Sequence, residues 1–132
     1  MSDPNSSLLP RTAALLIAHG SREEQANADL HYVKDQVLKQ RRYGIVDVAY
    51  LELAKPAILE AADACVQQGA AEVILLPYFL SAGVHVLRDL TEAHGALSRR
   101  HPHVRFRLAA RLGQHPLLAE IVLQRAITAE AQ

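Results

Sequence analysis

The sequence predicts an α/β fold, an open parallel four-stranded sheet flanked by helices. Four short apolar or β-branched runs alternate with four segments rich in helix formers. This βαβαβαβα order is typical of parallel strands joined by right-handed crossovers. Half of the 132 residues are hydrophobic, which suits one core rather than two. We therefore expect a flexible N-terminal tail over residues 1–11 and a single domain over residues 12–132.

The strands are predicted from short runs dominated by apolar and β-branched side chains. There are four such runs: 13–18, 45–51, 72–79 and 104–108. Pro77, near the end of the third run, cannot donate to a ladder and should end the pairing there. The fourth run alternates apolar with charged residues, which indicates an edge strand with one wet face.

The helices are predicted from apolar side chains at helical spacing between these runs. We expect them over four segments: 21–40, 56–69, 86–99 and 116 onward. Ser21 and Glu24 fit a capping box, which would start the first helix directly after His19. Pro56 suits the first turn of the second helix, and Gly69 suits its end.

Two histidines are the leading candidates for chemistry. His19 directly follows the first strand, and His85 ends the loop 80–85 that follows the third. Ligands of open parallel sheets bind beyond the carboxyl ends of the strands, where the strand order reverses. If the order is 2-1-3-4, both histidines reach one site. They could then hold a divalent ion such as Co²⁺, Fe²⁺, Ni²⁺ or Zn²⁺, although each could equally cap a turn.

Other polar residues near this edge leave alternatives open. Arg22 and Arg88 fall nearest the expected crevice, and Arg suits bidentate recognition of carboxylates. Glu52, at the end of the second strand, is an acid–base group, a ligand contact or an ordinary solvated carboxylate. Ser21 is interpreted as a helix cap because no G-x-S-x-G elbow occurs. Five further histidines are assigned no functional role: His31, His94, His101, His103 and His115.

Composition and missing motifs argue against several function classes. The formal net charge is zero, so nothing steers the molecule toward nucleic acid or an anionic membrane. No run approaches the ~20 apolar residues that cross a bilayer. Nucleotide-binding glycine motifs, H-E-x-x-H and paired C-x-x-C are absent from the sequence. The single cysteine, Cys65, cannot form an internal disulfide, which predicts a small core residue and a reducing compartment. The first eleven residues do not resemble a secretory signal, so we expect a cytoplasmic domain.

Two motifs resemble the conserved blocks of a known family. Segments 15–22 (LLIAHGSR) and 76–90 (LPYFLSAGVHVLRDL) are similar to the two blocks of the short CbiX/SirB sirohydrochlorin chelatases. Segments 50–56 and 112–116 resemble the middle and last blocks of that family. The resemblance runs from residue 15 to residue 122, which is nearly the whole predicted domain.

The resemblance implies a class II chelatase-like fold with flavodoxin-like layering. It also implies a lyase that inserts Co²⁺ or Fe²⁺ into sirohydrochlorin without ATP, on the route to cobalamin or sirohaem. His19 and His85 match the paired active-site histidines of the family, which makes them the expected catalytic and metal-binding residues. The expected substrate contacts are Ser21, Arg22, Glu52, Leu80, Ser81, Ala82, Gly83, Val84 and Arg88. No cofactor is expected beyond the substrate metal, for which Ni²⁺ is a further candidate.

The expected partners are sirohydrochlorin and a metal ion, with neither nucleic acid nor membrane. Related chelatases of double length contain two such units, so a single unit suggests a homodimer. Family members often carry Thr-Glu-Asp after the second histidine, whereas this chain has Leu87-Arg88-Asp89. Two competing hypotheses are a non-catalytic metal carrier or storage protein that uses the same histidines, and a flavodoxin-like binding module.

Overall fold

The computed structural model describes residues 11–132 and has one parallel sheet with four helices. The strands are β1 (Thr12–Ala18), β2 (Ile45–Tyr50), β3 (Glu72–Pro77) and β4 (Arg105–Leu108). The helices are α1 (Glu24–Lys39), α2 (Ile58–Gln67), α3 (Val84–Arg100) and α4 (Pro116–Glu130). The sheet order is β2-β1-β3-β4, so the strand order assumed from the sequence is confirmed.

Apolar packing on both faces of β1 forms the two halves of the core. Alternate residues of a strand point to opposite faces, so a continuous apolar run can be buried on both sides. Leu15 and Ile17 pack on one face with residues of α2 and α3, and Phe106 of β4 joins them. Leu16 packs on the other face against Leu30 of α1. The sheet therefore lies between α1 on one side and α2 with α3 on the other.

The last helix, α4, differs from the other three. None of its residues is buried, and its apolar side chains Leu117 and Val122 are 61% and 68% exposed. His115, which was assigned no role, caps it by accepting a hydrogen bond from the backbone N–H of Leu117. No helix within residues 11–132 is long and apolar enough to cross a membrane.

The predicted capping box at the start of α1 is wrong. The helix begins at Glu24, and the residue before it, Glu23, makes no side-chain capping bond. The Ser21 hydroxyl instead accepts a hydrogen bond from the Glu23 N–H at 3.0 Å. The side-chain amide of Asn27 accepts from the Ser21 N–H and donates to the Ser21 carbonyl. These two bonds hold the backbone of Ser21 in a loop ahead of the helix.

Two other helix starts also differ from the prediction. Pro56 lies two residues before α2 rather than in its first turn. Helix α3 begins at Val84, so Val84 and His85 lie on its first turn rather than in the preceding loop. Gly69 directly follows the C-cap of α2 with a φ of +100°, a conformation that favours glycine.

The first described residue, Arg11, is bonded to the rest of the chain. Its carbonyl accepts from the Ala71 N–H at 2.7 Å, and its Nε donates to the Gly69 carbonyl at 2.9 Å. The prediction placed Arg11 in a flexible tail. The remainder of that predicted tail, residues 1–10, lies outside the described residues.

Candidate active site

The pairing of β1 with β2 continues past the ends of both strands. Leu51 donates its N–H to the Ala18 carbonyl, and Glu52 donates its N–H to the His19 carbonyl, both at 3.0 Å. These bonds set the two side chains next to each other, and His19 Nε2 lies 2.7 Å from Glu52 Oε1. The His19 and Glu52 side chains are 52% and 58% exposed. Thus Glu52, which the sequence left with three alternatives, directly contacts a predicted catalytic residue.

Gly20 makes this close approach possible. Its φ of +101° lies in a region that side-chain-bearing residues rarely adopt. A Cβ at this position would lie only 1.9 Å from the Glu52 carbonyl oxygen and 3.2 Å from the Cβ of Tyr50. The glycine of the H-G-S motif therefore lets the backbones after β1 and β2 lie against each other.

The contact with Glu52 determines which nitrogen of His19 remains available. An ionised carboxylate only accepts hydrogen bonds, so Nε2 of His19 must carry the proton that is donated. In the neutral ring the lone pair then lies on Nδ1. A carboxylate behind a histidine fixes its tautomer and orients the ring in many metal sites. His19 is thus arranged to bind a cation or to accept a proton through Nδ1.

The segment after β3 is fixed beside the end of β1. Tyr78 donates its N–H to the Ile17 carbonyl at 2.7 Å, which extends the sheet edge by one residue. Phe79 accepts from the Leu112 N–H, and the Leu80 carbonyl accepts from Arg111 Nη1 at 3.1 Å. The loop 80–83 therefore leaves the sheet from the strand next to the one that carries His19.

His85 lies on the exposed first turn of α3, and Arg88 is its nearest polar neighbour on that helix. A nitrogen of the Arg88 guanidinium contacts His85 Nδ1. Because a guanidinium has donors but no acceptor, Nδ1 of His85 must accept this bond. Nε2 then carries the proton of the neutral ring. While this contact persists, Nδ1 is used by Arg88 and Nε2 bears a proton, so neither nitrogen offers a lone pair to a metal ion.

Two neighbouring clefts adjoin the His19–Glu52 pair. The smaller, about 230 Å³, is lined by His19 and by Ser21, Asn27, Tyr50 and Tyr78, among others. The larger, about 500 Å³, includes both Ser21 and Arg22. Among the described residues, His85, Arg88 and the loop 80–83 line neither cleft. Within residues 11–132, no three His, Cys, Asp or Glu side chains gather into a metal-binding group. The convergence of the two histidines therefore stays a prediction.

Tyr50 and Asn27 line the site but were not identified from the sequence. Tyr50 is only 2% exposed, and its hydroxyl has no hydrogen-bond partner in the described part of the chain. Burial raises the pKa of Tyr50, so its hydroxyl is a donor at neutral pH. The sequence signal that could have identified Tyr50 is its place at the end of the second strand, which ends at the expected crevice.

Other candidate ligands are held by structural contacts away from this edge. His94 Nε2 lies 2.7 Å from the Phe106 carbonyl and connects α3 to β4. Cys65 is fully buried on α2, as predicted, and its pKa is raised to about 11 by burial and by the charge of Asp47. A protonated, inaccessible thiol is a poor metal ligand. The reducing compartment expected from this single cysteine stays a prediction, as does the cytoplasmic location.

Comparison with known proteins places this arrangement in a family. A family model described as CbiX matches residues 13–129. The chain belongs to the CbiX family. The resemblance recognised in the two sequence motifs is therefore confirmed.

Two curated relatives of this chain are named as chelatases. The sirohydrochlorin cobaltochelatase of Priestia megaterium is 33% identical over 115 residues, which cover 87% of this chain and 37% of the relative. The chloroplastic sirohydrochlorin ferrochelatase of Arabidopsis thaliana is 33% identical over 111 residues, covering 84% and 49% respectively. The chain spans less than half the length of these two curated relatives.

Solved structures of the family share this fold. A CbiX protein from Marinobacter aquaeolei VT8 superposes with a TM-score of 0.75 at 25% identity, over 91% of this chain and 97% of that one. The sirohydrochlorin chelatase SirB from Bacillus subtilis subspecies spizizenii, solved in complex with cobalt, gives a TM-score of 0.82 at 25% identity. That match covers 89% of this chain and 50% of SirB. The predicted chelatase-like sheet is confirmed.

Proposed function

We propose that the chain inserts Co²⁺ or Fe²⁺ into sirohydrochlorin without ATP. The observation that carries the proposal is the contact of His19 with Glu52 at the carboxyl edge of the sheet. Two relatives of this chain are named for cobalt and iron insertion respectively. In their common family, an oriented imidazole at this edge is best explained as part of the insertion site.

Metal insertion needs a group that binds the ion and a group that takes up protons. The divalent ion replaces two pyrrole N–H protons of the macrocycle, so two protons must leave for each ion that enters. Histidine exchanges protons readily near neutral pH. His19 accepts one proton on Nδ1 after the ion has passed from this nitrogen to the macrocycle, and Glu52 stabilises the imidazolium that forms. The second proton passes to bulk water. We assign His85 as the second metal-binding and catalytic residue, which requires Arg88 to release its ring.

The substrate would lie over the carboxyl edge of the sheet. Sirohydrochlorin carries many carboxylates, and Arg22 and Arg88 are exposed cations near this edge. The loop residues Ser81, Ala82 and Gly83 connect two exposed apolar side chains, Leu80 at 64% and Val84 at 76% exposure. Exposed apolar groups of this size suit the flat face of a macrocycle. Ser21 completes the proposed substrate contacts next to His19.

The proposal is tested by mixing the purified chain with sirohydrochlorin and Co²⁺ under anaerobic conditions. We expect the absorption spectrum of the tetrapyrrole to shift faster with the protein than in a protein-free control. His85→Ala and His19→Ala should each slow insertion by about a hundredfold or more. His103→Ala, a change at an exposed loop histidine, should insert at the wild-type rate. Undiminished insertion by His85→Ala would remove that residue from the mechanism.

The same assay separates the proposal from a metal carrier. A carrier would bind Co²⁺ through the same histidines but leave the sirohydrochlorin spectrum unchanged. Parallel rates with Fe²⁺, Co²⁺ and Ni²⁺ identify the preferred metal. We expect turnover with Fe²⁺ or Co²⁺, and Ni²⁺ is the further candidate that this comparison tests.

We also propose that the chain forms a homodimer through α4. This helix exposes Leu117, Ile121, Val122, Leu123 and Ile127, all at least 48% accessible. Within residues 11–132 no residue of this helix is buried, and an exposed apolar helix surface costs free energy unless a partner covers it. Sedimentation should give a dimer for the wild type and a monomer for Val122→Glu. A monomeric wild-type chain would exclude the dimer.

A further inference from the structure

The larger cleft beside the His19–Glu52 pair has features of a second binding site. It lies between the N-terminal half of α1 and the loop 53–55 that follows β2, and has a volume of about 500 Å³. Ser21, Asn27 and Tyr50 line both this cleft and the smaller cleft that contains His19. The two clefts therefore share a wall and lie next to each other.

The charged lining of this cleft favours an anion. Arg22 and Lys55 line it together with His31, and Glu24 is the one carboxylate among its lining residues. Within residues 11–132, neither Arg22 nor Lys55 makes a salt bridge. Two cations without protein counterions on one concave surface suit a carboxylate.

Tyr50, which lines both clefts, has a hydroxyl group that gives an independent indication of a ligand. The hydroxyl is buried and has no partner among the described residues, whereas buried polar groups are nearly always hydrogen-bonded. Leu53, which also lines the cleft, has a φ of +65°, which is strained for a side-chain-bearing residue. Backbone strain of this kind is often found at binding sites.

The remaining lining is apolar. Ala28, Leu53 and Ala54 contribute short or exposed hydrocarbon side chains. A flexible acid side chain has a hydrocarbon part and a carboxylate end, which matches apolar walls next to the nitrogen groups of Arg22 and Lys55. Neither a bare inorganic anion nor a purely apolar ligand would use both kinds of surface.

We propose that this cleft is a carboxylate subsite that holds one acid side chain of the tetrapyrrole while the macrocycle lies against His19. The proposal rests on the proposed function and adds Tyr50, Lys55 and His31 to the residues that contact substrate. Arg22 and Lys55 provide the charge, and the Tyr50 hydroxyl donates a hydrogen bond to the carboxylate.

The decisive variant is Tyr50→Phe, which removes one oxygen and keeps the ring. If the hydroxyl has no role in binding, Tyr50→Phe should leave the affinity for sirohydrochlorin unchanged. The fold should stay stable in either case, because removing an unpartnered buried hydroxyl does not destabilise a core. If the hydroxyl binds the carboxylate, metal-free sirohydrochlorin should bind about three- to tenfold more weakly, with an unchanged or raised midpoint of urea unfolding. Binding is followed by the absorption of the tetrapyrrole without any metal.

A matched pair of lysine variants tests the charge of the cleft. Lys55→Met should weaken binding of metal-free sirohydrochlorin by about three- to tenfold. Lys39→Met removes the same charge from the last turn of α1, at the far end of that helix, and should bind like the wild type. Equal affinities for Tyr50→Phe, Lys55→Met and the wild type would overturn the subsite.

Binding and insertion can fail separately in this design. If the wild type binds sirohydrochlorin but inserts no metal, the proposed function fails, and the weaker binding of the two variants still supports the subsite. If the wild type binds no sirohydrochlorin, both proposals fail. If the wild type binds sirohydrochlorin and inserts the metal while Tyr50→Phe and Lys55→Met bind with wild-type affinity, only the subsite fails.

Discussion

Residues 11–132 contain two histidine–carboxylate pairs that have the same contact distance but different surroundings. His19 Nε2 lies 2.7 Å from Glu52, and His101 Nε2 lies 2.7 Å from Asp63. The first pair lies at the carboxyl edge of the sheet, where the His19 side chain is 52% exposed and the Glu52 side chain is 58% exposed. The second is 20% and 23% exposed, between α2 and the end of α3. The same contact can therefore serve a site in one place and the fold in another.

Additional partners distinguish the two pairs. Both oxygens of Asp63 are bound by Arg100, at 3.0 Å and 2.8 Å, and the His101 ring packs 5.9 Å from the Phe106 ring. Glu52 has no such cation among the described residues. A pair whose bonding capacity is already used stabilises structure, whereas a pair with a remaining lone pair and open surface can meet a ligand.

The largest effect is expected from breaking the backbone contact that aligns the exposed pair. In Gly20→Ala the new Cβ would meet the Glu52 carbonyl oxygen at 1.9 Å, so the two chain segments must separate. We expect insertion to fall by about a hundredfold or more. The free energy of unfolding should fall by about 2 kcal/mol, because alanine is also strained at this φ. Stopped-flow absorption and urea unfolding measure the two effects.

The control for this variant is Gly95→Ala in α3. A Cβ there meets only the end of the flexible Arg99 side chain at 3.3 Å. Alanine is a better helix former than glycine by about 1 kcal/mol, so stability should hold or rise with insertion unchanged. Wild-type insertion by Gly20→Ala would show that alignment of the pair is unnecessary.

The next effect separates the chemical role of Glu52 from a structural one. Glu52→Gln keeps a hydrogen-bonding side chain but loses the charge that stabilises a cation at His19. Co²⁺ affinity and insertion should fall by about ten- to a hundredfold. The free energy of unfolding should change by less than about 0.5 kcal/mol, since exposed pairs contribute little to stability. Calorimetric Co²⁺ titration and urea unfolding test this, and the reverse pattern would make Glu52 structural.

The fold was largely predictable because hydrophobic periodicity and proline chemistry are local signals. Pro77 ends β3 as expected, and the apolar run of β1 is buried on both faces. The start of α1 was not predictable, because the Ser21 backbone is held by the side chain of Asn27, six residues away. A capping box is recognised from spacing alone, and spacing does not reveal a competing bond.

The candidate site was predictable only in part. His19 and Glu52 were each placed at a strand end, but their contact depends on the register Ala18 with Tyr50 and on hydrogen bonds beyond the strands. The contact of His85 with Arg88 became visible once α3 was seen to begin at Val84, which places both residues on one helix face. Register and helix starts are set by tertiary contacts, which one sequence does not display.

A smaller effect of opposite sign is expected at the second proposed histidine. Glu52 contacts Nε2 of His19 and leaves Nδ1 of that ring outside the contact, whereas Arg88 contacts Nδ1 of His85 with a positive group. Arg88→Gln should therefore raise Co²⁺ affinity, measured without tetrapyrrole, by about three- to tenfold. Arg99→Gln removes the same charge from the last turn of the same helix and should leave the affinity unchanged.

The double variant His85→Ala with Arg88→Gln identifies the origin of that gain. If the gain comes from releasing the imidazole, it disappears when His85 is absent. If it survives in the double variant, Arg88 acts only through general charge repulsion. Calorimetric Co²⁺ titration of the wild type, His85→Ala, Arg88→Gln and the double variant distinguishes the two cases.

The smallest effect is expected at the half-buried pair of His101 and Asp63, and it should appear in stability alone. Partial burial raises the pKa of Asp63, but hydrogen bonds from His101 and Arg100, helped by their charges, outweigh it and hold that pKa below its ordinary value. A lowered folded-state pKa stabilises the fold above the unfolded-state pKa of about 3.9, and this stabilisation is lost as pH falls through the folded value.

Asp63→Asn should lower the free energy of unfolding by about 1 kcal/mol at pH 7 and leave the Co²⁺ affinity at the wild-type value. Urea unfolding from pH 7 to pH 3 measures the free energy of unfolding of the wild type and of Asp63→Asn. The difference between the two free energies should shrink below about pH 4. A loss of Co²⁺ affinity in Asp63→Asn would mean that the two pairs are coupled across the sheet rather than independent.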